Sequence, residues 1–440
     1  AKVPVEQLLP NMIASMAANA AAAGPLNDNR FIGGYIQYWH NSAFSTIANS
    51  QSQFDRMGGT NGSSDVAGSI WRQHYYDFGF NMINMIKWAE EEKKWDYAGV
   101  GKAMFAWSWL QVTDYHGEVI LNEAFRRDQL TFKFDSEELV YPFVRKLCFE
   151  ALDYLNRTGD GVSQANLAKG DAFLYNGDVN KWKKFVNAIL ARSYHHLSNK
   201  SSYQADSVIF YCDRALTSND DNANVRFAAT GISANSNFFG PLRGNIGGLR
   251  QGSYIADLMS GRNPVFPVSD PRAWYMLKRN LNNTFFGVRP TTGIFGIPDA
   301  NNRPLNFWGG PSGISASPAG GDTGCTYVFR NAGPMPLITA AEVAFMKSEA
   351  AYRKGDRTTA LNAYRDGIRL NFDMLTTQFN TNIPPNRAIT PQMRDAFLAD
   401  PNVVPSAGNL TLSHIMLQKY IALYGYGVME TWVDMRRYHY

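Results

Sequence analysis

The sequence predicts a mainly all-α fold, in which helix pairs of the tetratricopeptide (TPR) type carry an inserted loop-rich lobe. The first observation is segment 339–372, which has the pattern of two helices joined by a tight turn at Gly355. Apolar residues recur at helical spacing on both sides of this turn. Asp356 is placed to cap the second helix, and the small Ala350 and Ala360 let the two backbones approach. Such a pair cannot bury its own apolar face, so it must stack on neighbouring helices.

The second observation is a contrast in composition along the chain. Residues 70–217 and 337–437 contain helical apolar patterns, whereas the stretch at about 220–336 contains much of the Gly and Pro. This middle stretch also carries many aromatic residues, which a disordered linker would lack. We therefore predict a single domain over residues 1–440, with TPR-like helices in the two flanking segments and an ordered, loop-rich lobe between them.

Individual helices follow from the spacing of the apolar residues. The first 24 residues are rich in alanine and have good intrinsic helix propensity, and a polar loop at 48–69 follows them. Further segments with helical periodicity are 70–94, 96–112, 137–156, 179–198 and 204–216, with two short helices at 251–259 and 271–278 in the lobe. From these segments we predict TPR-like helix pairs near residues 70–112, 179–217 and 339–373.

Composition argues against nucleic acid as a partner. The 440 residues include 42 basic and 38 acidic side chains, which leaves a net charge of +4, and the basic residues are scattered. A nucleic-acid-binding protein concentrates its basic residues on one face. Apolar residues make up 45% of the chain, which is ample material for a hydrophobic core.

The cysteines and the hydropathy pattern place few constraints on the compartment. Cys148, Cys212 and Cys325 are odd in number and far apart, so they form no disulfide framework, and we expect Cys148 and Cys212 to be buried in helices. No apolar run approaches the ~20 residues that a membrane helix needs. Because the chain begins at Ala1 rather than at a methionine, we expect that its N-terminus has been removed together with any targeting segment.

Three segments resemble a known family, the SusD/RagB-like outer-membrane nutrient-binding lipoproteins. GDVNKWKKFVNAILARSYHHLS (177–198) resembles the family helix "GD…KW.KFAN.L..R". PMPLITAAEVAFMKSEAAYRKGD (334–356) is similar to "P…L…AE…..AEA..R.GD", and LQKYIALYGYGVMETWVDMRR (417–437) is similar to "QK..AL.G.....W.D.RR". Weaker matches lie at 71–86, 114–125 and 269–272. Each match alone is weak, but together they follow the family order over most of the chain.

This resemblance implies a helical fold with TPR-like units and a loop-rich lobe that binds a ligand. It also implies attachment to the bacterial outer membrane through a lipidated N-terminal cysteine only. A family member acts as a lid over a SusC-like TonB-dependent transporter and passes glycans or peptides to it. Two departures are present: the lipidated cysteine is not in this sequence, and the "VPY" part of the family loop is Val119-Ile120-Leu121 here.

Aromatic residues near polar loops are the candidate ligand-binding residues. Flat rings complement the apolar face of a sugar and also pack against peptide side chains, while polar neighbours bond hydroxyl or backbone groups. The competing interpretation is core packing for the rings, which is favoured for Trp71 on its amphipathic helix, and an ordinary solvated loop for the polar residues. The predicted ligand-binding residues are Trp308 as the strongest candidate, then Trp274, Tyr275, Phe307, Trp39, Trp71, Arg72, Asn61 and Asp65.

Metal binding and catalysis have little support in the sequence. The run SNDDNAN (218–224) offers oxygen ligands but lacks EF-hand spacing, so a polar turn is favoured over a Ca²⁺ site. No HExxH, GxSxG or Walker motif is present. Glu342 and Glu349 are expected to make helix-cap or interhelix bonds. For the motif residues Trp432, Asp434, Arg436 and Arg437, a structural salt bridge near the C-terminus is favoured. We therefore predict no cofactor, no metal and no catalytic residues.

These observations together predict a non-enzymatic nutrient-binding protein on the outer-membrane surface. It would capture oligosaccharides or oligopeptides and deliver them to a SusC-like TonB-dependent transporter. Two alternatives come from other functional classes: a helical glycoside hydrolase, since carboxylate separation in space decides that chemistry, and a TPR scaffold that binds proteins. The choice between glycan and peptide stays open, because both ligands use aromatic rings and polar loops.

Overall fold

The computed structural model describes residues 2–17, 24–42, 68–290, 292–310, 321–380 and 383–438. Within these ranges the chain is mainly helical and has only short strands, which confirms the predicted fold class. No helix in this part of the chain is both long enough and apolar enough to cross a bilayer. Cys148 and Cys212 are buried and unpaired, as predicted.

The described part of the N-terminal half is mainly helical. Its helices are α1 (Val5–Met16), α2 (Gly24–Tyr35), α3 (Ser69–Arg72), the π-helical segment Gln73–Phe78, α4 (Gly79–Glu91), α5 (Trp95–His116), α6 (Glu137–Asn156), α7 (Gln164–Asp171), α8 (Val179–His195) and α9 (Ala205–Cys212). The sequence predicted one helix over the first 24 residues, whereas the structure has α1, followed by α2 from Gly24 onward. Short, largely polar α7 was not predicted, because it has little apolar periodicity.

The lobe and the C-terminal helices complete the chain. Strand β1 (Trp39–Asn41) pairs antiparallel with β3 (Leu249–Gln251), and β2 (Asn224–Val225) pairs antiparallel with β4 (Met335–Pro336). The remaining helices are α10 (Ser253–Met259), α11 (Ala273–Met276), α12 (Ala340–Lys354), α13 (Arg357–Gln378), α14 (Pro391–Ala399), α15 (Leu412–Ala422) and α16 (Val428–Tyr438). Because β1 lies outside the lobe at about 220–336, its pairing with β3 ties the lobe to the N-terminal part of the chain, whereas β2 and β4 join the two ends of the lobe.

The pair α12–α13 shows why the sequence folds as TPR-like units. The Thr339 hydroxyl accepts a hydrogen bond from the Glu342 amide at 3.2 Å and so caps α12. Gly355 has φ +90°, the left-handed conformation that ends a helix most easily when no side chain is present. The Asp356 carboxylate then accepts the Thr359 amide at 3.0 Å, which confirms the predicted cap of α13.

Successive helices stack on one another, because the apolar face of each helix pair is buried only against a neighbouring helix. Contacts run from α4 to α5, α5 to α6, α6 to α8, α8 to α9, α9 to α12 and α12 to α13. Each of the three predicted pairs is part of this stack. Helix α15 packs against α12 and α13, and α16 packs against α2 and α5, so the C-terminal helices contact both halves of the chain.

A buried ionic network joins α8, α12, α15 and α16. The predicted interhelix roles of Glu342 and Glu349 and the structural role of Asp434 and Arg437 are confirmed by these contacts. The principal ion pairs are Arg192–Glu342 (2.7 Å), His196–Glu430 (2.8 Å), His196–Asp114 (2.9 Å), Lys419–Asp434 (2.9 Å), Arg437–Glu349 (2.9 Å) and Arg437–Asp434 (2.7 Å). Burial lowers the pKa of His195 to about 4, so His195 contributes a hydrogen bond to Glu349 at 2.7 Å rather than a charge.

The free energy of unfolding is expected to fall as pH rises toward about 9, because this network holds His196 protonated in the folded state. Burial alone would lower the pKa of His196, but Glu430 and Asp114 outweigh burial and raise it to about 9. A histidine whose folded pKa exceeds its unfolded pKa stabilises the fold fully below about pH 6.5 and loses that contribution as pH rises through about 9. We expect a loss of at most roughly 3 kcal/mol over this window, measured by urea unfolding at several pH values. The variant His196→Gln should remove this part of the slope; an unchanged slope would contradict the assignment.

Candidate ligand-binding site

Four of the predicted ligand-binding rings lie in the core, which corrects the expectation of an exposed platform around Trp308. Trp308 is 4% exposed, and its Nε1 donates a hydrogen bond to the Phe239 carbonyl at 2.9 Å. Phe307 packs on Phe329 at 4.7 Å between ring centroids, and Phe329 in turn contacts Trp39 at 6.1 Å. These rings fill the space between the lobe and the scaffold, so in this conformation they offer no face to a ligand.

The other predicted pair in the lobe, Trp274 and Tyr275, is divided between surface and core. Tyr275 is 1% exposed, and its hydroxyl accepts the Ile389 amide at 2.9 Å. Trp274 is half-buried, and the guanidinium of Arg387 covers its ring at 4.1 Å from the centroid. A ligand would therefore have to displace Arg387 to reach this face of Trp274.

The remaining predicted residues flank the start of α3. Asn61 and Asp65 lie outside the described residues. Trp71 and Arg72 lie side by side at the surface, where Trp71 is half-buried and Arg72 is exposed. Of the predicted set, these two are the residues that the structure brings together with other exposed rings.

An exposed cluster of rings surrounds these two residues, and we call it the aromatic face: Trp71, Arg72, Tyr76, His116 and Phe134. Tyr76 is 74% exposed and Phe134 is 56% exposed. The Phe134 ring stacks on Trp71 at 5.8 Å between centroids, with 28° between the planes, and His116 packs edge-on against Trp71 at 5.2 Å. Trp71 thus supports Phe134 from below, while Phe134 and Tyr76 project into solvent.

The loop that carries Phe134 is held in place by hydrogen bonds near both of its ends. The Tyr75 hydroxyl lies 2.8 Å from both the carbonyl and the amide of Ile120. The Asp135 carboxylate accepts the amides of Leu121 and Asn122 at 2.9 and 2.8 Å, and Val119 and Asp135 form an antiparallel bridge. Because both ends of the loop are fixed, Phe134 has a defined position over Trp71.

A π-helical turn shapes the scaffold side of the aromatic face. The segment Gln73–Phe78 follows α3 directly and contains the exposed Tyr76. π-Helical turns are rare inside helices and occur frequently at functional sites. On the inner side, Phe125 has a left-handed φ of +62°, and its ring occupies the space that a Cβ on Gly79 would need. The absence of a side chain at Gly79 therefore lets the loop close against the helix.

The charges on the aromatic face compensate one another. The Arg72 guanidinium lies 5.5 Å from the Tyr76 ring centroid and 3.7 Å from the Asp77 carboxylate. Burial raises the pKa of Asp77, and Arg72 offsets part of that effect. Burial also lowers the pKa of His116 to about 4, so its imidazole is neutral at physiological pH. The face therefore combines exposed rings with one paired charge, which suits a neutral ligand with apolar ring faces.

Sequence reasoning missed Tyr76 and Phe134. A signal for Tyr76 was present, since it falls outside the apolar stripe of Trp71, Tyr75 and Phe78 and therefore should not point to the core. No comparable signal existed for Phe134, because its position depends on the hydrogen bonds of a loop. The exposure of Tyr76 could therefore be predicted from helical periodicity, whereas that of Phe134 depends on tertiary packing.

The described residues contain no group of three or more His, Cys, Asp or Glu side chains arranged for a metal ion. The run at 218–224 forms a capped turn, as its polar composition favours. The Asp221 carboxylate accepts the amides of Thr217 and Ser218 and forms an ion pair with Lys184 at 2.7 Å. The protein's own donors therefore already satisfy this carboxylate.

Comparisons with known proteins agree with this architecture. The whole chain, residues 1–440, matches the SusD-like family, which is described as starch-binding and associating with the outer membrane. A SusD/RagB family protein from Bacteroides thetaiotaomicron has a similar structure, with a TM-score of 0.76 and 21% identity over 99% of this chain and 88% of that chain. A SusD homologue from Bacteroides uniformis gives 0.72 and 20% over 100% and 87%.

A chitin-binding SusD homologue from Flavobacterium johnsoniae is also similar, with a TM-score of 0.69 and 19% identity over 99% of this chain and 86% of that chain. No curated protein matches the sequence. At such identities the similar structures establish the fold alone, whereas the family match covers every residue. The chain therefore belongs to the SusD-like family.

Proposed function

We propose that this protein binds oligosaccharides on the aromatic face and delivers them to a SusC-like TonB-dependent transporter in the outer membrane. The observation that carries the proposal is the pair of exposed rings, Tyr76 and Phe134, which are held on a packed base by Trp71 and Tyr75. The family description, starch-binding and associating with the outer membrane, supports a glycan as the ligand. The chitin-binding homologue supports the same ligand class.

The physical basis of glycan binding is the complementarity of flat surfaces. One face of a pyranose carries C–H groups that pack against an aromatic ring, while the hydroxyl groups at its edge need polar partners. Phe134 and Tyr76 supply ring faces. The Arg72 guanidinium, which has five N–H donors, supplies a polar partner. An oligopeptide remains the alternative ligand, and competition between peptide and glycan for the same face would distinguish them.

Delivery to a transporter requires that the protein be held at the surface of the outer membrane. We propose that a lipidated N-terminal cysteine preceding this sequence anchors it, in keeping with the family description. Mild detergent extraction of the native membrane, followed by purification of the full-length protein, should recover a SusC-like barrel with it. Recovery of the protein alone under these conditions would argue against the partnership.

The proposal is of a binding protein rather than a hydrolase. The two carboxylates that follow the exposed rings in the chain are engaged, Asp77 with Arg72 at 3.7 Å and Asp135 with the amides of Leu121 and Asn122. Glu90 on α4 accepts a hydrogen bond from Tyr154, and Glu92 after the same helix forms an ion pair with Lys94. Prolonged incubation with soluble oligosaccharides should leave them intact when the products are separated by chromatography. Release of shorter sugars would favour the glycoside hydrolase alternative.

Removing either exposed ring should weaken glycan binding without loss of stability. We expect Tyr76→Ala and Phe134→Ala each to cost ~1–3 kcal/mol of binding free energy, about 5- to 150-fold in Kd, as for other aromatic anchors. Isothermal titration with malto- and chito-oligosaccharides measures the effect. Phe210→Ala is the matched control, because Phe210 is 48% exposed on α9 and belongs to another surface. Wild-type affinity in both face variants would refute the assignment of the site.

A further inference from the structure

Asp28 connects helix α2 to the start of α3, directly before the aromatic face. Its Oδ2 accepts the Ile70 amide at 3.0 Å and its Oδ1 accepts the Ser69 amide at 3.3 Å. The Asn27 side chain donates to the Ser69 hydroxyl at 2.6 Å. Asp28 is fully buried, so these hydrogen bonds form where water does not compete with them.

The start of α3 depends on these bonds for its caps. Gly68 precedes the helix and has no side chain with which to cap it. The first amides of a helix lack intrahelical partners, and a carboxylate is a favourable acceptor for them. Asp28 therefore does from another helix what an N-cap residue does locally. The residues that follow immediately are Trp71 and Arg72.

We propose that Asp28 is a positioning residue of the binding site, whose carboxylate fixes the first turn of α3 and thereby the placement of Trp71 and Arg72. The inference rests on the proposed function, since it concerns the same aromatic face. Asp28 touches no ligand itself. It acts through the Ser69 and Ile70 amides, and through Trp71 it determines where Phe134 is supported.

The placement should respond to pH near neutrality. Burial raises the pKa of Asp28 to about 7, although the Ile70 and Ser69 amides favour the charged form. Among the described residues, Arg30 on the same helix and Tyr115 on α5 are the other titratable groups that face it. Arg30 stays charged and Tyr115 stays neutral in this range, because burial raises the pKa of Tyr115 well above its ordinary value. Protonation of Asp28 removes its charge and weakens the bonds to both amides, so affinity should fall as pH decreases through about 7.

The test measures glycan affinity of the wild type and of Asp28→Asn between pH 5.5 and 8.5, together with hydrogen exchange at Ser69 and Ile70. The amide variant keeps the size of the side chain but carries no charge. We expect wild-type affinity to weaken several-fold toward pH 5.5, and the variant to bind about 5- to 30-fold more weakly at pH 8 with a flatter profile. Exchange at both amides should be faster in the variant.

A second buried carboxylate provides the matched control. Asp96 accepts the Ser163 amide at 3.2 Å, and burial raises its pKa as well, but it belongs to the α5–α7 side of the scaffold. Asp96→Asn should leave the affinity and its pH profile unchanged. If Asp28→Asn binds as tightly as the wild type at every pH and its two amides exchange no faster, the positioning role is overturned. If the wild type binds no glycan at any pH, the proposed function fails, and faster exchange in Asp28→Asn still supports the positioning role while unchanged exchange overturns it.

Discussion

Replacing Trp308 by alanine is expected to lower the free energy of unfolding by about 3–5 kcal/mol, the cost of removing a buried tryptophan from a packed core. The ring is 4% exposed, and the substitution also leaves the Phe239 carbonyl without its donor. Guanidinium unfolding of the variant and the wild type measures the difference. Glycan affinity of the folded variant should remain close to that of the wild type, since the ring does not belong to the aromatic face.

Comparison with Phe134→Ala distinguishes an effect on stability from an effect on glycan binding. Phe134 is 56% exposed, so its truncation should change stability by no more than about 0.5 kcal/mol while it weakens binding. The two variants are therefore expected to show opposite patterns, stability lost in one and affinity lost in the other. A stable Trp308→Ala protein with a specific loss of glycan affinity would return Trp308 to the binding site and would argue that the lobe opens in solution.

Local periodicity was sufficient to predict the helix pairs. In 339–372 the apolar spacing, Gly355 and Asp356 all specify the same helix–turn–helix unit, and the structure has the helices, the left-handed turn and the cap that they indicate. Such features depend on residues a few positions apart. A single sequence is therefore sufficient to predict the helices, the turn and the cap.

The exposure of the lobe aromatics was not predictable in the same way. Trp308 is flanked by Asn306 and two glycines, a context typical of an exposed loop. It is buried by residues distant in sequence, among them Phe239, 69 positions away, whose carbonyl accepts the hydrogen bond of the indole. Burial of this kind depends on tertiary contacts between segments that are far apart in sequence, and the local sequence pattern does not specify those contacts.

The aromatic face depends on both kinds of information. Arg72 was predicted because it borders a polar loop at the start of a helix, and Trp71 was one of the aromatic candidates, although core packing was favoured for it. Both are part of the exposed cluster. Tyr76 and Phe134 complete it through a π-helical turn and a loop pinned by Asp135. Neither feature has a sequence signature as distinct as a cap or a heptad, so the sequence predicted two residues of this candidate site but not the cluster that they form.

The second large effect is expected from the buried ionic network, where a substitution at Arg437 should lower the free energy of unfolding. The adjacent Arg436, from the same motif, provides the comparison. Arg437 is 8% exposed and donates to Glu349 at 2.9 and 3.0 Å and to Asp434 at 2.7 Å. Burial would raise the pKa of Glu349, but Arg437 and His195 hold it well below its usual value, so the carboxylate is charged. Arg437→Met is expected to cost about 3–5 kcal/mol of stability, because it leaves buried negative charges without their partner.

The neighbouring Arg436 is the control for this substitution. It is exposed and donates to the Asp114 carbonyl, so Arg436→Met removes the same charge from the same helix at the surface. We expect its effect on the free energy of unfolding to stay within about 1 kcal/mol. Adding Glu349→Gln to Arg437→Met should recover part of the lost stability, since the second substitution removes the charge that the first one strands. Equal costs for the two arginines, or no recovery in the double variant, would mean that packing rather than charge pairing holds α16 against α12.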